Sequence, residues 1–294
     1  MPCGVGLLPS FASIFFVRTF LTRTKRSPRN DIEPPNQSLF FSFLFQKKKK
    51  KKYTKAMKPA LLLAATTSLV MAAPYFVLTG DSTTAVNGGW GDGFLSFLQG
   101  GAAGWNTAKS GATTASFRAQ GLWDGAVRAV RENVGGYEPV FVTIQFGHND
   151  QKEAAGISLD QFQRNLEDMA REVVGTGGVP ILITSLTRRT FSGGSVVQNL
   201  ENERQRTIAA AAAVGAQYLD LNAKSTDYIN AIGDADGRKY DLAEGDRTHL
   251  NKAAEVVFGR MVADLLLEKK GELLEFLRDN STISDAIRDG RFVI

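Results

Sequence analysis

Short runs of apolar residues recur along the chain after residue 74, and amphipathic stretches separate them. The runs are continuous rather than alternating in polarity, which is typical of strands buried on both faces of a parallel sheet. They comprise Tyr75 to Leu78, Val140 to Phe146, Val179 to Ser185 and Tyr218 to Leu221. Because helical patterns lie between these runs, the pattern predicts one α/β domain over residues 73–294, a three-layer α/β/α sandwich with a central parallel sheet.

Two of the predicted helices have a clear apolar stripe. The first carries Phe162, Leu166, Met169 and Val173. The second carries Val256, Met261 and Leu265, and Asn251 just before it is a candidate N-cap.

Charge divides the chain into two unlike parts. The 294 residues hold 35 Lys and Arg and 30 Asp and Glu, a net charge of +5. Residues 1–72 take 13 of the basic and 2 of the acidic side chains, or +11, which leaves 22 basic and 28 acidic, or −6, for the rest. A nucleic-acid or anionic-membrane binder would therefore depend on residues 1–56 alone, and we expect neither partner.

Residues 1–56 combine eight of the nineteen Phe with the lysine tract Lys47 to Lys52, without helical or strand periodicity. T-rich and A-rich untranslated DNA would encode such a segment, so we interpret it as a gene-model extension; an Arg-rich transit peptide and a polybasic patch are the alternatives. Residues 57–72 have the pattern of a signal peptide, with Lys58 before the apolar segment Leu61 to Met71 and a small-residue cleavage site at Ala72 or Ala73. This predicts a secreted, extracellular protein with no stable membrane association; a buried first helix is the alternative.

The composition of residues 73–294 excludes several kinds of site. The single cysteine, Cys3, lies in the extension, so the domain has no disulfide. It also has no Cys/His ligand cluster and no glycine-rich phosphate loop after a strand, and we expect neither a metal nor a cofactor.

Polar clusters follow the predicted strands, where loops line the ligand crevice of a parallel sheet. Ser82 follows the first strand on a glycine-containing turn, as an exposed nucleophile would, but the same segment could cap a helix near Trp90. Asn149 follows the predicted strand that ends at Phe146 and could donate to a developing oxyanion; an Asn-Asp turn with Asp150 is the alternative.

Only two histidines occur in the chain, and a base that activates Ser82 must be one of them. Asp246 precedes His249 by three residues, so its carboxylate could hold Nδ1 while Nε2 faces a serine hydroxyl. His148 lies close to Asp150 and is the other candidate.

The order of these clusters resembles the four blocks of the GDSL or SGNH hydrolases. Within that superfamily the chain is similar to the rhamnogalacturonan acetylesterases, and the resemblance covers Tyr75 to Ile294. The residues that carry it are Gly80-Asp81-Ser82-Thr83, a glycine after the second strand, Phe146-Gly147-His148-Asn149-Asp150 and Asp246-Arg247-Thr248-His249. The resemblance implies an SGNH-hydrolase, flavodoxin-like fold.

The resemblance also implies roles for the matching residues. Ser82 would be the nucleophile, His249 the general base and then acid, and Asp246 its orienting carboxylate. The N–H groups of Ser82 and Gly111 and the side chain of Asn149 would form the oxyanion hole. Gly111 matches by position only, because the family reads Ala-x-Gly-x-Ser where this chain reads Ala108-Lys109-Ser110-Gly111-Ala112. His148 and Asp150 would support Asn149.

These expectations add up to a secreted, monomeric serine esterase that removes acetyl groups from a pectic polysaccharide, rhamnogalacturonan. Arg188 and Arg189 follow the strand at Val179 and could bind a uronate carboxylate, or they could lie at the solvated start of a loop. Trp90 could stack on a sugar or pack in the core. The alternative functions are an esterase for other acetylated polysaccharides or short-chain esters and a non-catalytic carbohydrate-binding protein.

Overall fold

The computed structural model describes residues 72–294. The predicted extension, Cys3 and all of the predicted signal peptide except Ala72 lie outside these residues. Seven strands occur, named in chain order: β1 (Tyr75–Gly80), β2 (Ala103–Asn106), β3 (Val140–Gln145), β4 (Val179–Ile183), β5 (Phe191–Ser192), β6 (Ser195–Val196) and β7 (Gln217–Leu219).

Eight α-helices accompany these strands in the described part of the chain. They are α1 (Gly91–Leu95), α2 (Thr114–Ala119), α3 (Leu122–Asn133), α4 (Leu159–Gly175), α5 (Glu201–Val214), α6 (Leu221–Gly237), α7 (Lys252–Lys269) and α8 (Ser281–Arg288). Short 3₁₀ helices cover Glu153–Ala155, Arg238–Tyr240 and Gly271–Phe276. No helix within residues 72–294 is both long enough and apolar enough to cross a membrane.

Five strands form one parallel sheet in the order β2-β1-β3-β4-β7, and β5 and β6 form a small antiparallel hairpin. The four predicted strands are confirmed, with ends that differ by one or two residues. Helices cover both faces of the sheet, so the predicted three-layer α/β/α architecture is confirmed.

The hydrophobic core consists of one cluster on each face of the sheet. On one face, Phe76 and Ile183 pack with α7 residues such as Phe258. On the other face, Val142 and Leu182 pack with α3 and α4. The four residues of the predicted α4 stripe are all buried, and Asn251 caps α7 by accepting a hydrogen bond from the Ala254 N–H at 3.0 Å.

The parallel direction of β1, β3 and β4 brings the loops that follow them to one edge of the sheet. Those loops carry Ser82, the segment from His148 to Asp150, and Arg188 with Arg189. The fold therefore places most of the polar clusters of the sequence side by side.

Candidate active site

Ser82 lies on a tight turn directly after β1. The Asp81 carboxylate accepts hydrogen bonds from the backbone N–H and the hydroxyl of Thr83 at 2.9 and 2.8 Å, which holds the turn in shape. A Cβ on Gly80 would lie 2.6 Å from the Gln145 carbonyl oxygen, so the turn requires glycine there. The alternative of a helix cap is wrong, because α1 has Trp90 at its N-cap position and no side chain caps it.

His249 and Asp246 form a hydrogen-bonded chain with Ser82. The Nε2 atom of His249 lies 2.9 Å from Ser82 Oγ, and its Nδ1 lies 2.9 Å from Asp246 Oδ2. The other oxygen of Asp246 accepts the backbone N–H groups of His249 and Thr248 at 2.9 and 3.1 Å. A serine hydroxyl in this arrangement can lose its proton to the imidazole as it attacks a carbonyl carbon.

These contacts keep Asp246 ionised. Partial burial acts to raise the pKa of Asp246, but the hydrogen bonds from the backbone and ring of His249 and from the Thr248 N–H outweigh it and lower this pKa. An ionised carboxylate on Nδ1 fixes the tautomer of His249 that leaves Nε2 free to accept the proton of Ser82.

Arg189 braces the loop that carries His249. Its guanidinium is fully buried, forms an ion pair with Asp241 and donates to the backbone oxygens of Asp246 and His249 at 3.0 and 2.6 Å. The prediction that Arg189 contacts substrate is therefore wrong, because the turn after β4 directs this side chain into the protein.

A groove of about 380 Å³ opens over Ser82. Besides Ser82 and His249 it is lined by Ser110, Gly111, His148, Asn149, Lys152, Arg188 and Thr248. The lining contains two cationic side chains, Lys152 and Arg188, and no carboxylate. Sequence reasoning missed Lys152, although it stands only two residues after the cluster that ends at Asp150.

Gly111 and Asn149, the other two predicted oxyanion-hole residues, also line the groove. Gly111 has a φ of +80°, and a Cβ there would meet nothing within 4 Å. Asn149 Nδ2 donates to the Ala112 carbonyl at 3.0 Å, and its Oδ1 accepts from Lys152 Nζ at 2.7 Å. The amide is thus oriented, and the second Nδ2 hydrogen remains for a group in the groove.

His148 contacts Arg188 rather than Ser82. Arg188 Nε donates to His148 Nδ1 at 3.3 Å, so Nε2 carries the ring hydrogen and donates to the Leu186 carbonyl at 2.9 Å. Burial, together with the charge of Arg188, lowers the pKa of His148 to about 3. The ring of His148 thus holds Arg188, and the support of Asn149 by His148 stays a prediction.

Asp150 lies beneath Asn149 and is almost completely buried. Its Oδ1 accepts the backbone N–H and the hydroxyl of Thr114 at 2.9 and 2.6 Å, and its Oδ2 is buried without a partner. Burial raises the pKa of Asp150 to about 6, although the bonds from Thr114 act to lower it.

Trp90 is not a sugar platform, because its side chain is completely buried and its Nε1 donates to Gln145 Oε1 at 2.7 Å. The core alternative for this residue is confirmed. Within residues 72–294 no group of three or more His, Cys, Asp and Glu side chains is arranged to hold a metal ion.

Comparisons with known proteins identify a family and several similar proteins. The sequence profile of the GDSL-like Lipase/Acylhydrolase family matches residues 78–255, more than half of the chain. The rhamnogalacturonan acetylesterase RhgT of Bacillus subtilis is 28% identical over 207 residues, which cover 64% of this chain and 87% of that protein.

Two solved structures share the fold. The YXIM protein of Bacillus subtilis superimposes with a TM-score of 0.57 at 24% identity, over 68% of this chain; the chain spans only 58% of that protein. A catalytic variant of Axe2, an acetylxylan esterase from Geobacillus stearothermophilus, gives a TM-score of 0.53 at 17% identity, over 72% of this chain and 99% of its own.

Proposed function

The chain belongs to the GDSL-like lipase/acylhydrolase family and is an ester hydrolase of the SGNH type, and from this premise we propose that it removes O-acetyl groups from rhamnogalacturonan. The observation that carries the proposed mechanism is the chain of short contacts from Ser82 Oγ to His249 and on to Asp246. The rhamnogalacturonan acetylesterase RhgT, 28% identical, supports the choice of substrate.

In the proposed reaction His249 Nε2 accepts the proton of Ser82 as Oγ bonds to the acetyl carbonyl carbon. The tetrahedral intermediate collapses when its bond to the sugar oxygen breaks, and His249 gives the proton to that oxygen. Water then adds to the acetyl-enzyme while His249 takes its proton. The second intermediate releases acetate, and Ser82 regains its hydrogen.

The proposed oxyanion hole combines the N–H groups of Ser82 and Gly111 with the Nδ2 of Asn149. All three residues line the same groove. Donors fixed before the reaction stabilise the developing charge without reorganisation, and the loss of one such donor typically lowers kcat about 10²- to 10³-fold.

We propose that Arg188 binds the carboxylate of a uronate next to the acetylated sugar. Its guanidinium donates to the neutral ring and to the backbone carbonyl of His148, and the groove lining itself contains no carboxylate. Arginine presents paired donors that match a carboxylate. Lys152 adds a second positive charge on the same groove.

We also propose that the protein is secreted and works as a monomer on the polymer outside the cell. The signal-peptide pattern of residues 57–72 supports secretion. Sequencing the N-terminus of the protein recovered from culture medium tests this part of the proposal, and a protein found only inside the cell contradicts it.

Acetate release from acetylated rhamnogalacturonan tests the activity, with p-nitrophenyl acetate and acetylated xylan as uncharged comparisons. Ser82→Ala is expected to lower kcat on every ester by at least about 10³-fold. Full activity in this variant contradicts the mechanism. A wild-type preference for acetylated xylan contradicts the substrate.

Arg188→Gln tests the carboxylate contact. Its kcat/KM on acetylated rhamnogalacturonan is expected to fall about 10-fold or more, with little change on p-nitrophenyl acetate, because only the polymer has a carboxylate for Arg188 to bind. Arg164→Gln, an exposed residue on α4, is the control. An equal loss on both substrates contradicts the assignment.

A further inference from the structure

The two loops that border the oxyanion side of the groove come from strands that do not pair. The Gly111 loop (residues 107–113) follows β2, and the Asn149 loop (residues 146–152) follows β3. Strand β1 lies between them, so the loops start about 10 Å apart. No ladder hydrogen bond of the sheet joins these two strands directly, because each pairs with β1.

Contacts above the end of β1 join the two loops. Asn149 Nδ2 donates to the Ala112 carbonyl, and Asp150 Oδ1 accepts both polar hydrogens that Thr114 offers, from its N–H and its hydroxyl. Thr114 Oγ1 in turn accepts from Asn165 Nδ2 of α4 at 2.8 Å. One buried carboxylate oxygen thus connects the Asn149 loop to the start of α2, directly after the Gly111 loop.

Gly111 depends on such contacts for its position. It adopts a left-handed conformation, and an added Cβ would meet nothing within 4 Å, so no side-chain packing fixes it. The flanking Lys109 N–H is fixed to the Gly80 carbonyl at 3.0 Å. On the other flank, Thr114 is held by Asp150.

We propose that Asp150 is a positioning residue that ties the Gly111 loop to the Asn149 loop and thereby sets the spacing of two oxyanion donors. The inference rests on the proposed function, because it requires that these donors hold an oxyanion. The unpartnered, buried Oδ2 of Asp150 agrees with it. An unpaired buried oxygen costs stability, and such costs are typical of functional sites.

Three variants of the full chain test the proposal, with kcat referred to active sites counted by the burst of a serine-reactive phosphonate. Asp150→Ala is expected to lower kcat on p-nitrophenyl acetate about 10- to 100-fold at a KM within about twofold, because misplaced donors act on the transition state. Asp150→Asn is expected to stay within about threefold of the wild type, since its amide oxygen accepts both bonds. Thr114→Val removes only the hydroxyl bond and is expected to fall between them.

Asp220→Ala is the matched control. The Asp220 carboxylate also accepts a threonine hydroxyl and a helix N–H, those of Thr184 and Ala223, but at the start of α6. We expect this variant to lose stability while its kcat stays unchanged. An Asp150→Ala enzyme that loses only melting temperature, as Asp220→Ala does, overturns the proposal.

A double-mutant cycle with Asn149→Ala separates the positioning role of Asp150 from the oxyanion hole itself. Asn149→Ala alone is expected to lose about 10²-fold in kcat, and adding Asp150→Ala is expected to cost less than about threefold more, because both changes damage the same donor set. Multiplicative losses overturn the positioning role. If Asn149→Ala keeps full activity, the proposed oxyanion hole fails, whatever Asp150 does.

Discussion

At the scale of single residues, the site depends on buried charges that never meet substrate. Arg189 fills the space between the end of β4 and the loop of residues 241–249, and it satisfies three backbone oxygens of that loop along with Asp241. A lysine could not make these contacts together, because they require the planar fork of a guanidinium. The position of the His249 ring therefore depends on an arginine behind it.

Replacing Arg189 by methionine is expected to lower the free energy of unfolding by about 3–5 kcal/mol, since Asp241 and the loop carbonyls lose their buried partner. Urea unfolding measures the change. Arg171→Met, which removes an exposed ion pair on α4, is the control and is expected to change stability by less than about 1 kcal/mol. Equal effects of the two substitutions on the free energy of unfolding would contradict the role of Arg189 in stabilising the loop of residues 241–249.

The second buried charge, Asp150, is expected to make stability depend on pH. Its pKa in the fold, about 6, lies above the ordinary 3.8, so the folded protein binds this proton more tightly than the unfolded chain. The stabilising contribution present below about pH 4 is lost as the pH rises through 6.

Asp150→Asn is therefore expected to be more stable than the wild type at pH 8, by up to about 3 kcal/mol, and equally stable near pH 4. Urea unfolding of both proteins at the two pH values provides the comparison. A stability difference between the two proteins that does not change with pH would show that burial does not raise the pKa of Asp150.

Sequence spacing was sufficient for some of these residues and not for others. Asp246 and His249 stand three apart on one loop, so their contact is local and could be predicted. Arg188 and Arg189 are adjacent, and which of them faces the groove depends on the distant loop that Arg189 meets. Lys152 enters the groove only because its loop turns back over Asn149.

At the scale of elements, α7 fixes the position of the segment just before it, which carries His249 to Ser82. It begins two residues after the His249–Leu250 pair and crosses α1 at very close range. Gly93 and Gly259 make this approach possible, since a Cβ on Gly259 would lie 2.3 Å from the Phe94 nitrogen. Both helices follow active-site segments, so their crossing contributes to the placement of His249.

Gly259→Ala is expected to destabilise the protein by at least about 1–3 kcal/mol, because the backbone of α1 must move away from the added methyl group. Gly125→Ala, in α3, is a control with the opposite sign. A Cβ there meets nothing, so the better helix propensity of alanine is expected to add about 0.5–1 kcal/mol. Thermal melts of both variants decide; a stable Gly259→Ala protein would contradict the close crossing.

The elements that could be predicted are the ones with enough buried residues to form a pattern. β1 and β3 are buried almost throughout, and both consist mainly of apolar residues, although Thr143 and Gln145 occur within β3. β2 was missed because it is a four-residue edge strand whose largest side chain, Trp105, is exposed. The two-residue strands β5 and β6 are too short for any periodicity.

At the scale of the whole molecule, residues 72–294 contain all five strands of the parallel sheet described above and the residues that line the groove over Ser82. Residues 72–294 carry 22 basic and 28 acidic side chains, a charge of −6, whereas the whole sequence carries +5. The acidic surface and the two cations of the groove therefore have opposite signs. An anionic polymer would be attracted to the groove and repelled by much of the remaining surface.

A chain that begins at residue 72 is expected to fold and to keep the kcat of the full sequence on p-nitrophenyl acetate, because the described contacts of the site all lie within residues 72–294. Its isoelectric point is expected to fall below 7, since −6 replaces +5. Activity assays and isoelectric focusing test both points. An insoluble or inactive truncated chain would show that earlier residues are needed.

The sequence separation of 167 between Ser82 and His249 has a consequence for folding. One partner follows the first strand and the other precedes the last long helix, so the pair forms only after nearly the whole sheet has assembled. Contacts this distant in sequence form late and slowly. During refolding from urea, the return of hydrolytic activity would thus report the final step of assembly. It is expected to come later than the return of the helical circular dichroism signal.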